Sequence, residues 1–219
     1  MRSTLSETRR GITIVELLVV LAVIAILFVI LAPVILSRRE YPRSIQCMNN
    51  QKQVAIGNIL WMTDNMDRFP WQVPISEGGS LDCTNEALPH FQELSNYMLS
   101  PMTFACPSDS ARAPTNTYAQ LSRTNLSYFL NLDAGTNLPP STFLSGDRHL
   151  SLSNQPVRPG SFVLRGDQLV SWTSELHHGM RYRLGQVSFA DGHVEAIKAA
   201  NLQGVVGRQP LGTNRLVVP

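Results

Sequence analysis

The chain has little charge. Lys, Arg, Asp and Glu make up 16% of its 219 residues, and the formal net charge is +2. No basic field is present to hold nucleic acid, and no acidic tail is present. G-x-S-x-G, the mark of a serine hydrolase elbow, does not occur. "DNMDRF", Asp64 to Phe69, lacks the glycine and the glutamate of an EF-hand loop. Strand and helix patterns do not alternate, so a parallel α/β sheet is excluded. His177, His178 and His193, with Asp191, are the only histidine group resembling a metal site. Adjacent His177 and His178 would point to opposite faces of a strand, and a structural zinc needs four convergent ligands. We therefore expect no metal, no cofactor and no catalytic residue.

What the chain does have is one long apolar run. Ile12 to Leu36 is 25 residues, with Glu16 its single charge and Thr13 and Pro33 its only other departures. As a helix it would reach about 37 Å, enough to cross a hydrocarbon core of about 30 Å. The apolar part of a secretory signal peptide is shorter and ends in an A-x-A-like site. A plain anchor leaves Glu16 unexplained, because a carboxylate at depth costs about 2.5–3.5 kcal/mol. Pro33 cannot donate to the helix ladder and clashes with the preceding turn. It either sits where a break at the membrane exit is cheap or marks a segment that bends.

"RRGITIVELLVVLAVIAIL" resembles the signal of type IV prepilins and type II secretion pseudopilins: a short basic leader, a glycine, a hydrophobic residue, then a glutamate at the fifth mature position. The resemblance implies a leader over 1–11, cleavage between Gly11 and Ile12 by a membrane prepilin peptidase, and N-methylation of Ile12. Ile12 stands where Phe is usual, and Val15 where Ile is common. In a filament, Glu16 of one subunit would meet the amine of its neighbour. Two charges at about 4 Å attract by roughly 4 kcal/mol at an effective dielectric of 20, so a carboxylate costly alone is compensated in the assembly. Pro33 falls at the twenty-second mature position, where pilins often carry a proline, and so joins Glu16 as an assembly residue.

Downstream, apolar residues at Ile45, Met48, Ala55, Ile59 and Met62 recur at helical steps. Asn65, Asp67 and Pro70 close the pattern. The expected helix runs from about Ile12 to about Asn65, bent near Pro33. Its parts are a transmembrane segment over 12–36 and an amphipathic continuation over 37–65. The globular domain would occupy 66–219. "CMNNQKQVAIGNILWMTDNMDRFP", with Cys106-Pro107-Ser108-Asp109 and Phe189-Ala190-Asp191-Gly192, resembles a group of pseudopilin-like proteins carrying C-P-S-D and F-A-D-G segments. The implied fold class is α+β and pilin-like: a long N-terminal helix packed on a small antiparallel sheet.

Asp191-Gly192 between alternating runs is a hairpin signal. A two-residue turn would pair Ala190 with His193 and Phe189 with Val194. That places Phe189, Val194, Val187 and Ala196 on one face, against the helix stripe. A further strand is expected over Ser161–Arg165. The three cysteines, Cys47, Cys83 and Cys106, allow three pairings. Cys83 and Cys106 lie in turn-rich sequence and approach more freely than a residue fixed on the helix, so that pair is expected, beside an all-reduced alternative.

Arg2, Arg9 and Arg10 before the span favour a cytoplasmic N-terminus; Arg38, Arg39 and Arg43 after it argue the other way. The prepilin signal decides for the first, with the chain crossing the inner membrane once and its globular domain in the periplasm. Removing the leader with Arg2, Glu7, Arg9 and Arg10 leaves 15 basic and 15 acidic residues. The resemblance implies a non-enzymatic pseudopilin of a type II secretion-like system. Its partners would be the prepilin peptidase, other pilin or pseudopilin subunits, and the secretion or pilus assembly machinery, with no nucleic acid. The alternatives are a type IV pilin of a surface fibre and a membrane-anchored periplasmic binding protein.

Overall fold

The computed structural model describes residues 13–37, 40–177 and 183–219. It divides into two compact units, Met1–Arg39 and Glu40–Pro219. The first holds helix α1, Ile14–Ser37. Its run Ile14–Ala32 is long and apolar enough to cross a membrane. Every side chain from Thr13 to Leu31 is exposed. Pro33 does not end it; the helix continues to Ser37. The expected single helix to Asn65 is described as two, α1 and α2, with Arg38 and Arg39 outside the described residues.

The second unit begins with α2, Glu40–Asp64. Met66 and Asp67 then take φ of 56° each, and a turn of 3₁₀ helix follows from Pro70. The short α3, Leu88–Gln92, lies among loops that precede the strands. These are β1 (Tyr128–Asn131), β2 (Phe143–Asp147), β3 (Leu150–Leu152), β4 (Gln155–Pro156), β5 (Gly160–Arg165), β6 (Val170–Trp172), β7 (Leu184–Phe189), β8 (Val194–Lys198) and, after α4 (Ala199–Val206), β9 (Thr213–Val218). A six-stranded antiparallel sheet has the order β5-β9-β1-β2-β7-β8, and a smaller sheet the order β4-β3-β6. The class is α+β, as expected, and β5 contains the expected Ser161–Arg165 strand.

Both faces of the large sheet are covered, which is why every residue of β1 and β2 is buried. One face packs with α2: Val54, Ala55 and Trp61 of the helix cluster with Tyr128, Leu130 and Val217. The other packs with α4 and the small sheet: Phe129, Phe143, Val187, Phe189 and Leu216 cluster with Trp172, Leu202 and Val206. Gly185 on β7 leaves room for the Trp172 ring, since a Cβ there would lie 2.3 Å from it. The indole N–H donates to the Ile197 carbonyl at 2.9 Å.

Two expectations are corrected by one register. β7 and β8 pair Ser188 with Val194 and Val187 with Glu195, one residue away from the expected pairing. The loop holds three residues, Ala190 to Gly192. Only Gly192 has positive φ, 85°, so the type I′ turn, which needs two such residues, does not form. Phe189 is buried, but in the cluster remote from α2. It lies beside Phe143, with ring centroids 5.6 Å apart, rather than on Ile59 and Met62. The face that β7 turns to α2 carries Gln186 instead.

The helix stripe is partly offset: Ala55 is buried as expected and Met62 packs against the same cluster. Its inward row is Ser44, Cys47, Gln51, Val54, Asn58 and Trp61, while Ile45 of the expected stripe is 44% exposed. Three polar residues in that row hid it from a hydropathy pattern.

Candidate functional site

The first candidate lies at the start of α1. Thr13 precedes the helix, and Glu16 lies in its first turn. The Glu16 Oε2 accepts from the Thr13 backbone N–H at 2.8 Å and from its hydroxyl at 2.9 Å. The Glu16 N–H donates to the Thr13 Oγ1 at 3.3 Å. This is a reciprocal capping box, T-x-x-E, in which two otherwise orphaned donors are satisfied. The pattern Thr13-Ile14-Val15-Glu16 before an apolar run was readable in the sequence and was missed there. It gives Glu16 a local role that needs no second chain. Gly11 and Ile12, the expected cleavage and methylation residues, lie outside the described residues.

The second candidate is a buried polar cluster between α2 and the sheet. Asp147 ends β2 and is fully buried. Its carboxylate accepts from the Gln186 N–H at 2.7 Å, from the Gln51 amide at 3.2 Å and from His177 Nε2 at 3.1 Å. The Gln51 amide also donates to the Gln186 carbonyl, and the Gln186 amide to the Ser44 carbonyl at 2.7 Å. Amides thus cross from helix to sheet where a hydrophobic contact would be usual. A buried charge left with fewer partners would cost several kcal/mol, so these donors make the burial tolerable. His149 lies against the same cluster, stacked on Trp172 at 5.0 Å, and its ring centroid is 6.2 Å from that of His177. Burial pushes the His149 imidazole down to about 4. Burial, then the nearby Asp147 charge, holds the Tyr128 phenol well above its usual value.

The disulfide borders this cluster. It joins Cys47 and Cys106, not Cys83 and Cys106 as expected from loop freedom. The reason is packing: the Asn50 amide donates to the Ala105 carbonyl at 3.0 Å and seats the loop on α2 beside Cys47, whose Cα is 4.9 Å from that of Cys106. Cys83 is a free, half-buried thiol. Burial, then Asp82, Glu86 and Glu93, pushes it up and away from thiolate chemistry. Beyond Cys106, Asp109 is buried and takes a bidentate pair from Arg148, at 2.7 and 2.9 Å. Arg148 also meets Glu175 at 3.2 Å. A cleft of about 540 Å³ opens beside this loop, lined by Asn50, Cys106, Asp109 and Arg112 among others.

The histidine group noted in the sequence is not assembled. His177 pairs with Asp147 in the interior, whereas His193 pairs with Asp191 beside the hairpin loop, half exposed. His178 lies outside the described residues. No protein-family model, no curated protein and no solved structure matches this chain.

Proposed function

We propose that the chain is a structural filament subunit, a pseudopilin of a type II secretion-like system. It would be inserted in the inner membrane, cleaved after Gly11 and methylated on Ile12. The globular unit would stand in the periplasm, and the finished filament would contain α1 in its interior. The carrying observation is an exposed apolar helix whose single carboxylate sits in its first turn. Such a helix needs either lipid or copies of itself around it. Both bonds from Thr13 reach one oxygen of Glu16. A neighbour's amine approaching that carboxylate would meet a group already held in place. The antiparallel sheet with α2 on one face supports the pilin-like layout in its coarse form.

The capping box favours a second reading, a plain anchor for a periplasmic domain, because it explains Glu16 without any assembly. The deciding measurement is mass spectrometry of the membrane-extracted chain. A terminus at N-methylated Ile12, abolished by Gly11→Val, supports the subunit. A terminus at Met1, or a cut near Ser37, refutes it. Filament in shear fractions then separates subunit from processed anchor. Filament length and the presence of an outer-membrane secretin separate pseudopilus from type IV surface pilus.

A further inference from the structure

The disulfide has a third neighbour. Both sulfurs and a ring nitrogen of His177 lie within 4.8 Å of one another, and all three residues are buried. They form the only such group of three His, Cys or carboxylate donors among the described residues. His177 is poised in an unusual way. Its Nε2 faces Asp147 Oδ2, and a carboxylate can only accept, so Nε2 carries the proton. In the neutral ring Nδ1 then holds the lone pair, and it is buried with no hydrogen-bond partner. His177 is 3% exposed and takes φ of 54°, a conformation that most side chains avoid. An imidazole fixed by a carboxylate at one nitrogen, with the other left bare, is how metal-ligating histidines are held.

We infer that the reduced form of the Cys47–Cys106 pair is a site for a zinc-class divalent cation, bound by both thiolates and His177 Nδ1, with Asp147 orienting the ring. A dithiol reductant passes two electrons and two protons to the S–S bond and is itself left as a disulfide. The cation then displaces both thiol protons, and two metal–sulfur bonds and one metal–nitrogen bond form. Two thiolates cancel the cation's charge, and the fourth tetrahedral position is left to water. Gln51 and the Gln186 N–H already satisfy Asp147, which therefore stays an orienting group rather than a ligand. The cleft lined by Cys106 supplies the approach for reductant and ion. Disulfide and metal are alternative clasps between the same points of α2 and its loop: exchange with a disulfide oxidant, which takes up two electrons and two protons and leaves as a dithiol, would re-form the S–S bond and release the ion.

The test uses the full chain in detergent micelles, reduced with a phosphine and titrated with cobalt(II). A stoichiometric thiolate-to-cobalt charge-transfer band, with the visible bands of a tetrahedral ion, is the expected result. The unreduced chain should show neither. Cys83→Ser should leave the band intact, and Cys106→Ser should abolish it. Asp147→Asn should weaken binding about 10–100-fold, as losses of such orienting groups do. Variants that fail to fold are bypassed in the unaltered chain. There, zinc should protect Cys47 and Cys106, but not Cys83, from alkylation. Absence of the band in the reduced chain, its survival in Cys106→Ser, or equal alkylation of all three thiols overturns the site.

Discussion

At the scale of single residues, two histidines contribute to the response to acid. Burial pushes both His149 and His90 down to about 4. An unfolded chain binds a proton at each near 6.5 while the folded chain does not, so their contribution to stability is complete above about 6.5. It is lost as pH falls toward about 4. Each residue contributes about 3 kcal/mol to that loss. Urea unfolding of the chain should therefore show a falling midpoint across this window. His149→Phe keeps the stacking on Trp172 and removes two buried nitrogens with no partner, so it should flatten part of the slope without weakening the fold at neutral pH. An unchanged slope would mean that water reaches His149. Glu16 and Thr13 admit a second comparison. Loss of the cap alone, in Thr13→Val, costs about 1 kcal/mol of helix stability. Glu16→Leu loses the cap and also the partner of a buried amine, about 3–5 kcal/mol in an assembly. If Glu16 pairs between subunits, filament yield at equal membrane levels should collapse in the second variant and survive in the first. Equal yields would leave Glu16 as a cap and nothing more.

At the scale of elements, the apolar cluster beneath α4 and the small sheet is where the hairpin exerts its effect. Phe189→Ala should cost about 3–5 kcal/mol, as for a core phenylalanine. Its partner distinguishes the two sides of the sheet. A double-mutant cycle with Phe143 should show coupling of about 0.5–1.5 kcal/mol, and one with Met62 close to none. Coupling to Met62 would restore the pairing suggested by the two-residue turn. That error shows what the sequence could and could not disclose. The apolar run of α1, the strand Ser161–Arg165 and the turn at Gly192 were legible because each is set by local composition or by φ. The β7–β8 register depended on whether Asp191 adopts positive φ, which Asp-Gly permits but does not impose. The inward face of α2 was illegible because Gln51 is buried for the Asp147 carboxylate on β2 and Ser44 for the Gln186 amide on β7, and those partners lie far along the chain. The Cys47–Cys106 bond was missed for the same reason: what brings Cys106 to the helix is Asn50, whose role exists only once the loop is folded.

At the scale of the whole molecule, that bond ties two points separated by 59 residues. In the chain-entropy account, removing it costs about 4 kcal/mol. Cys47→Ser should lower the unfolding free energy by that amount, and Cys83→Ser should leave it nearly unchanged. Equal effects would show that Cys83 has a packing role absent from the structure. β9 has a consequence of a different kind, one of timing. Among the described strands it follows the other eight in chain order, yet it lies inside the sheet, between β5 and β1. Until it arrives, two strands wait with unpaired backbone, and such edges recruit other chains. The large sheet therefore cannot be completed before β9 has been made. A copy interrupted before Thr213 would leave β5 and β1 with open edges and would be a seed for aggregation rather than a smaller version of the same fold.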